Sequence, residues 1–148
     1  LCCRAEPGSP GGRGSGGELL RARGKRLPLL PKEGSEITAV VSRSHLDAAT
    51  EAFVRRLEAR GKPVRSISAG SSRKLCVVAE GTADVYPRFG PTMEWDTASG
   101  QAVLEAAGGS MVSPEDRSRF AYNKESLTNG SFVALAPGRE PMYYLSYS

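Results

Sequence analysis

The run Glu80-Gly-Thr-Ala-Asp-Val-Tyr-Pro-Arg-Phe-Gly-Pro-Thr-Met-Glu-Trp-Asp-Thr-Ala-Ser-Gly-Gln-Ala-Val-Leu-Glu-Ala-Ala-Gly-Gly109 limits the folds open to this chain more than any other. Thr82–Tyr86 reads as a strand, a Gly/Pro loop follows, and Asp96–Ala107 reads as a helix ended by Gly108-Gly109. The pair Trp95-Asp96 stands at the helix start. A carboxylate is a hard oxygen ligand that suits Mg²⁺. Backbone N–H groups and the helix dipole at the same place favour a phosphate. Metal, carboxylate and helix end can therefore meet on one phosphoryl group. The plainer reading makes Asp96 an ordinary N-cap that closes the first turn.

The preceding residues continue the alternation. Ile37–Ser42 is a β-rich apolar run and reads as a strand. Asp47 reads as the N-cap of a helix that reaches about Arg60 and stops at Gly61, with Pro63 beyond. Its apolar stripe is read as Ala49, Phe53, Val54 and Leu57. Val64–Ser68 is a short strand. Leu75-Cys-Val-Val-Ala79 is apolar throughout, which suits a buried strand or a buried helix equally. Ser110–Val112 and Ser131–Ala136 are strands. Strands alternating with helices give the α/β class. The expected organisation is an irregular Gly/Pro/Arg-rich segment over 1–34, an α/β domain over 35–137 and a tail over 138–148.

The boundary at residue 34 rests on composition. Residues 1–34 hold eight of the seventeen glycines and four of the ten prolines, which discourages regular structure there beyond a helical turn at Glu18–Arg23. They also hold the whole net charge of +4; residues 35–148 carry thirteen basic and thirteen acidic side chains. The body therefore has no basic field to steer nucleic acid, and any anion site must be local. No apolar run is long enough to cross a membrane. Cys2, Cys3 and Cys76 make no disulfide framework, which fits a reducing cytoplasm, and Cys76 is expected as a small buried apolar residue. The start at Leu1, without Met, reads as that of a fragment.

Three loops carry further chemistry: Ser42-Arg-Ser-His45, Gly70-Ser-Ser-Arg-Lys74 and Tyr86-Pro-Arg88. Taken singly, each is an ordinary turn or a solvated charge. Together they place an imidazole, two hydroxyls and two cations at loops that can converge. Arg88 would offer a planar fork and Lys74 a point charge to a phosphate.

The block around Trp95-Asp-Thr-Ala-Ser-Gly100 resembles the second signature of the inositol monophosphatase superfamily, the magnesium-dependent phosphomonoesterases. The three loops resemble the CysQ-type branch, the 3'(2'),5'-bisphosphate nucleotidases. The likeness spans about Ile37 to Leu135. It implies the C-terminal half of a layered αβαβα sugar-phosphatase fold without its N-terminal half, and a helix over the Leu75–Ala79 run. It implies Asp96 as a catalytic metal ligand for Mg²⁺, with Trp95 packed beneath it or simply in the core. It implies His45, Ser71, Lys74, Arg88 and Asp96 as contacts to a nucleotide bisphosphate, and a place in sulfur metabolism. Tyr122-Asn-Lys124 resembles the family's closing loop and reads as structural. The family's Asp-Gly-Thr segment and upstream glutamate are absent from these residues. Two-metal chemistry needs them, so the 148 residues alone are expected to be catalytically incomplete. The competing readings are an inositol or sugar phosphatase and a non-catalytic module that binds nucleotide or another chain.

Overall fold

The computed structural model describes Leu27 and residues 34–42, 47–70 and 73–146. The expected turn at Glu18–Arg23, Cys2, Cys3, His45 and Ser71 lie outside the described residues. Leu27 belongs to the stretch expected to be irregular, yet it is buried in the core.

Eleven elements follow one another among the described residues. They are β1 (Ile37–Val41), α1 (Ala48–Glu58), β2 (Val64–Ser68), α2 (Arg73–Ala79), β3 (Val85–Arg88), β4 (Thr92–Met93), α3 (Glu94–Ala106), β5 (Ser110–Val112), β6 (Thr128–Asn129), β7 (Phe132–Leu135) and α4 (Pro141–Leu145). Five strands form one sheet in the order β2-β1-β3-β7-β5, and β4 pairs with β6 in a small ribbon. β2 and β3 flank β1 in parallel; β7 runs antiparallel to both β3 and β5. The strand expected at Thr82–Tyr86 starts later, at Val85. Thr82 and Ala83 instead turn the chain, with both amides directed at the Val77 carbonyl.

Side-chain alternation along the strands divides the core in two. Val40, Tyr86, Met111, Phe132 and Ala134 join Leu75, Val78 and Leu104 on one face, under α2 and α3. Ile37, Ala39, Val85, Val112, Val133 and Leu135 join Phe53, Leu57, Tyr144 and Leu145 on the other, under α1 and α4. The result is helices on both faces of a mixed sheet, the α/β arrangement expected from the alternation.

α1 starts where expected, with the Asp47 carboxylate accepting from the Thr50 amide at 2.7 Å. Its buried stripe is Thr50, Phe53 and Leu57. Ala49 is exposed and Val54 only half-buried, because a narrow helix contact selects positions three and four apart, with a polar Thr included. α2 is buried at Lys74, Leu75, Val77, Val78 and Ala79, so it has no polar face to give it a helical period. Cys76, expected to be buried, is half-exposed. The closing segment is not a loose tail: α4 seats Tyr144 and Leu145 against α1 and the sheet, and Arg60 donates to the Ser146 carbonyl. At the same edge Asp84 joins β1 to the C-terminal segment. Its carboxylate accepts from the Thr38 amide at 2.6 Å and from Arg139 Nε at 2.9 Å.

Glycine sets the packing of α3 at its C-terminal end and at its middle. A Cβ on Gly108 would sit on backbone at φ +89°, and one on Gly109 would meet the Leu135 carbonyl at 2.6 Å. The pair therefore turns the chain and lets it pass close to β7. Inside α3, a Cβ on Gly100 would lie 2.5 Å from Leu75 Cδ1 and 3.0 Å from Leu75 Cβ. Ala is favoured over Gly within a helix by about 1 kcal/mol, but forced overpacking costs about 1–3 kcal/mol. Gly100→Ala is expected to lower stability by about 1–2 kcal/mol in urea unfolding. In a Leu75→Ala background the same change is expected to become neutral or stabilising. A stabilising Gly100→Ala in the wild-type background would refute this contact as the reason for the glycine.

Candidate functional site

Strand order locates the crevice. From β1 the chain leaves toward α1, on one face of the sheet; from β3 it leaves toward α3, on the other. Neighbouring parallel strands whose connections part in this way open a cleft beyond their C-terminal ends. Ser42 follows β1 and Arg88 ends β3. The first residues of α1, α2 and α3 are brought to the same edge because each helix follows directly from a parallel strand's end or its loop.

Arg88 and Lys74 dominate the charge there. Arg88 Nε donates to the Gly90 carbonyl and Nη2 to the Pro91 carbonyl, both at 3.2 Å. Carbonyl partners fix the guanidinium plane without forming an ion pair. Lys74 is only 8% exposed. Its Nζ lies 5.5 Å from the centre of the Tyr86 ring, and no carboxylate pairs with it among the described residues. A lysine in the first turn of a helix is ordinarily solvated; this one lies over an aromatic face. Burial holds its pKa below the usual range, and the positive field of Arg88 adds to that. Burial also raises the Tyr86 phenol, against the opposing effect of Arg88. Asp47 is held low chiefly by the Thr50 amide, with a smaller contribution from Arg88. Neither cation forms an ion pair among the described residues, although Asp47 lies within the field of Arg88, and two neighbouring cations of this kind are a candidate anion site.

Asp96 occupies the third position of α3 rather than its N-cap, because the helix begins at Glu94. Its exposed carboxylate accepts from the Met93 amide at 2.9 Å, the backward half of a capping box. Trp95 is 64% exposed and is neither core nor a floor beneath the site. The buried stripe of α3 is Thr97, Gly100, Gln101 and Leu104, which turns Trp95 and Asp96 outward.

The turn is braced by Asn129, which carries no mark in the sequence, and by Tyr122 and Lys124 of the loop read as structural. Asn129 Nδ2 donates to Thr97 Oγ1 at 2.9 Å, Thr92 Oγ1 at 3.1 Å and the Met93 carbonyl at 3.0 Å. Tyr122 donates to Thr97 Oγ1 at 3.1 Å. Lys124 Nζ meets Glu94 at 2.6 Å and Asn129 Oδ1 at 3.3 Å. Lys124 and the Asn123 amide hold the Glu94 carboxyl below its usual range. Glu94 is thereby committed to structure. The described residues contain no group of three or more His, Cys, Asp or Glu that could hold a metal ion. They do not by themselves fit a resident divalent cation; Asp96 offers one carboxylate only.

Of the five residues expected at the site, Lys74 and Arg88 lie beside each other, and Asp96 stands in the first turn of α3, the helix that follows β3 and β4. His45 and Ser71 lie outside the described residues. A buried ammonium without a partner costs stability. Lys74→Met is expected to raise stability at pH 7 by about 1 kcal/mol, a modest gain because the Tyr86 contact already offsets part of the cost. The sign with pH is fixed: the folded-state pKa lies below the unfolded one, so the penalty is full below the folded value. It fades as pH rises toward about 10.4, and the advantage of Met fades with it. Thermal unfolding at pH 7 and 10 measures both; a destabilised Met variant at pH 7 would overturn the assignment.

The family model that matches residues 11–141 is that of the inositol monophosphatase family. A 3'(2'),5'-bisphosphate nucleotidase CysQ of Shigella flexneri is 39% identical over 115 residues, which is 78% of this chain and 42% of that protein. The crystal structure of CysQ from Bacteroides thetaiotaomicron superimposes with a TM-score of 0.74 at 44% identity, over 83% of this chain and 45% of that one. An IMPase of Thermotoga maritima shares the fold, with a TM-score of 0.54 at 22% identity over 76% of this chain and 41% of that one. The chain thus spans less than half the length of these relatives. Among the described residues no helix is long and apolar enough to cross a membrane.

Proposed function

The chain belongs to the inositol monophosphatase family, and we propose from that premise that it carries the substrate-binding side of a cytoplasmic 3'(2'),5'-bisphosphate nucleotidase. The reaction is hydrolysis of adenosine 3',5'-bisphosphate to AMP and phosphate. The observation that carries this reading is the buried Lys74 beside Arg88, two cations with no carboxylate between them, at the cleft beyond β1 and β3. A second, non-reacting phosphate supplies the charge that this pair lacks. Arg88 orients it through its fixed fork and Lys74 adds a point charge. His45 and Ser71 complete the contacts to the nucleotide.

Asp96 is proposed as one ligand of a catalytic Mg²⁺. An exposed carboxylate at a helix start is available for that role. The remaining ligands are assigned to the N-terminal half of the fold, because the relatives are more than twice as long as the region they share with this chain. When bound, the metal supplies the activation of water and the neutralisation of phosphoryl charge. The 148 residues alone bind without turning over.

Titration calorimetry with adenosine 3',5'-bisphosphate and inositol monophosphate tests the reading. Arg88→Ala is expected to weaken the bisphosphate by a factor on the order of 10 to 100, the loss of one charge-assisted contact, and to leave inositol monophosphate nearly unchanged. Equal losses on both would favour an inositol or sugar phosphatase. Phosphate release by the chain at roughly 1 per second or faster, the low end of ordinary enzymes, would refute the assignment of essential groups to the other half.

A further inference from the structure

Lys74 has a chemistry that phosphate binding does not use. Lysine amines become nucleophiles toward carbonyl groups when an apolar pocket and a neighbouring cation disfavour their protonated form. Both conditions hold here. The side chain is 8% exposed and its amine lies over the Tyr86 ring, with Arg88 as the adjacent charge. No acceptor or carboxylate among the described residues holds the amine in its charged state. Its Nζ has no hydrogen-bond partner among the described residues and is not a fully enclosed atom.

Arg88 adds a place for a second group. Nε and Nη2 are spent on the Gly90 and Pro91 carbonyls, and Nη1 donates to nothing among the described residues. We infer that Lys74 is a covalent trap for small phosphorylated aldehydes, with the phosphate on Arg88 and the aldehyde carbon on Lys74 Nζ. The inference rests on the anion site proposed above and adds to it a reaction and a class of reactant.

The step balances without a further reagent. The Nζ lone pair forms a C–N bond to the carbonyl carbon while the C=O π pair becomes an alkoxide, which takes up a proton. The resulting carbinolamine loses water, and C=N forms as the C–O bond breaks. The imine is reversible until reduced.

The test treats the 148-residue chain with pyridoxal 5'-phosphate, then borohydride, and maps the modified lysines by peptide mass spectrometry. Lys74 is expected to be modified several-fold faster than Lys62 and Lys124, because burial and the neighbouring Arg88 favour its free amine. Pyridoxal, which lacks the phosphate, is expected to react with Lys74 about 10-fold more slowly, and Arg88→Ala to remove that difference. Lys74→Arg keeps the charge and should abolish labelling at this position alone. Labelling of Lys74 no faster than of Lys62 and Lys124 would overturn the trap. Equal rates for the two aldehydes would overturn the role of Arg88 and the anion site together. Protection by inorganic phosphate but not by adenosine 3',5'-bisphosphate would support the trap while ending the nucleotidase reading.

Discussion

The contact between Gly100 and Leu75 is the constraint on which the functional edge depends. Without a side chain at Gly100, α3 lies directly on α2, and the two helices cover one face of the sheet together. Leu75, next to Lys74, thereby sits against the middle of α3, about one turn on from Asp96. A wider spacing would separate the carboxylate from the cations and leave Leu75, Val78 and Leu104 poorly packed. One missing methyl group thus couples the core to the arrangement of charge.

The edge is unequal in its electrostatics. Around α3 most polar groups close to the helix start are paired: Glu94 with Lys124 and the Asn129 amide with the Thr97 hydroxyl, while Asp96 accepts only from the Met93 amide. That turn is rigid and polar. Around α2 and β3 the opposite holds, since Lys74 and Arg88 have no acid between them. Folding accepts this cost because most of the free energy comes from apolar burial elsewhere, in two cores fed by alternate residues of each strand. An anion at the proposed site would remove a penalty as well as form new bonds, which would link binding to stability there.

The opposite edge carries no such imbalance. Asp84 and Arg139 pair at 2.6 Å and tie β1, β3 and the C-terminal segment together. Arg60 and Lys62 rest on the Tyr143 ring. This side clamps the sheet while the other leaves its charges available, the usual division between structural and functional ends in open α/β sheets.

Much of this was legible in the residues themselves. Asp47 and Gly61 bound α1, the β-rich run at Ile37 marks β1, and Gly108-Gly109 ends α3, because caps and turns are decided by local backbone chemistry. The Trp95-Asp96 block pointed to a helix start, although the helix opens two residues earlier. Tertiary structure decided what local chemistry does not encode. It turned Trp95 to solvent, because the stripe of α3 is set by what α2 can accept. It made Leu75–Ala79 a helix, since an all-apolar run has no period of its own and takes the form its surroundings can bury. It moved the start of β3 to Val85, where pairing with β1 and β7 begins. Above all it buried Lys74 against Tyr86. The sequence determined that a lysine stands after a Gly-Ser-Ser turn; whether its charge meets water or an aromatic ring depends on helix packing, and only the assembled layers settle that.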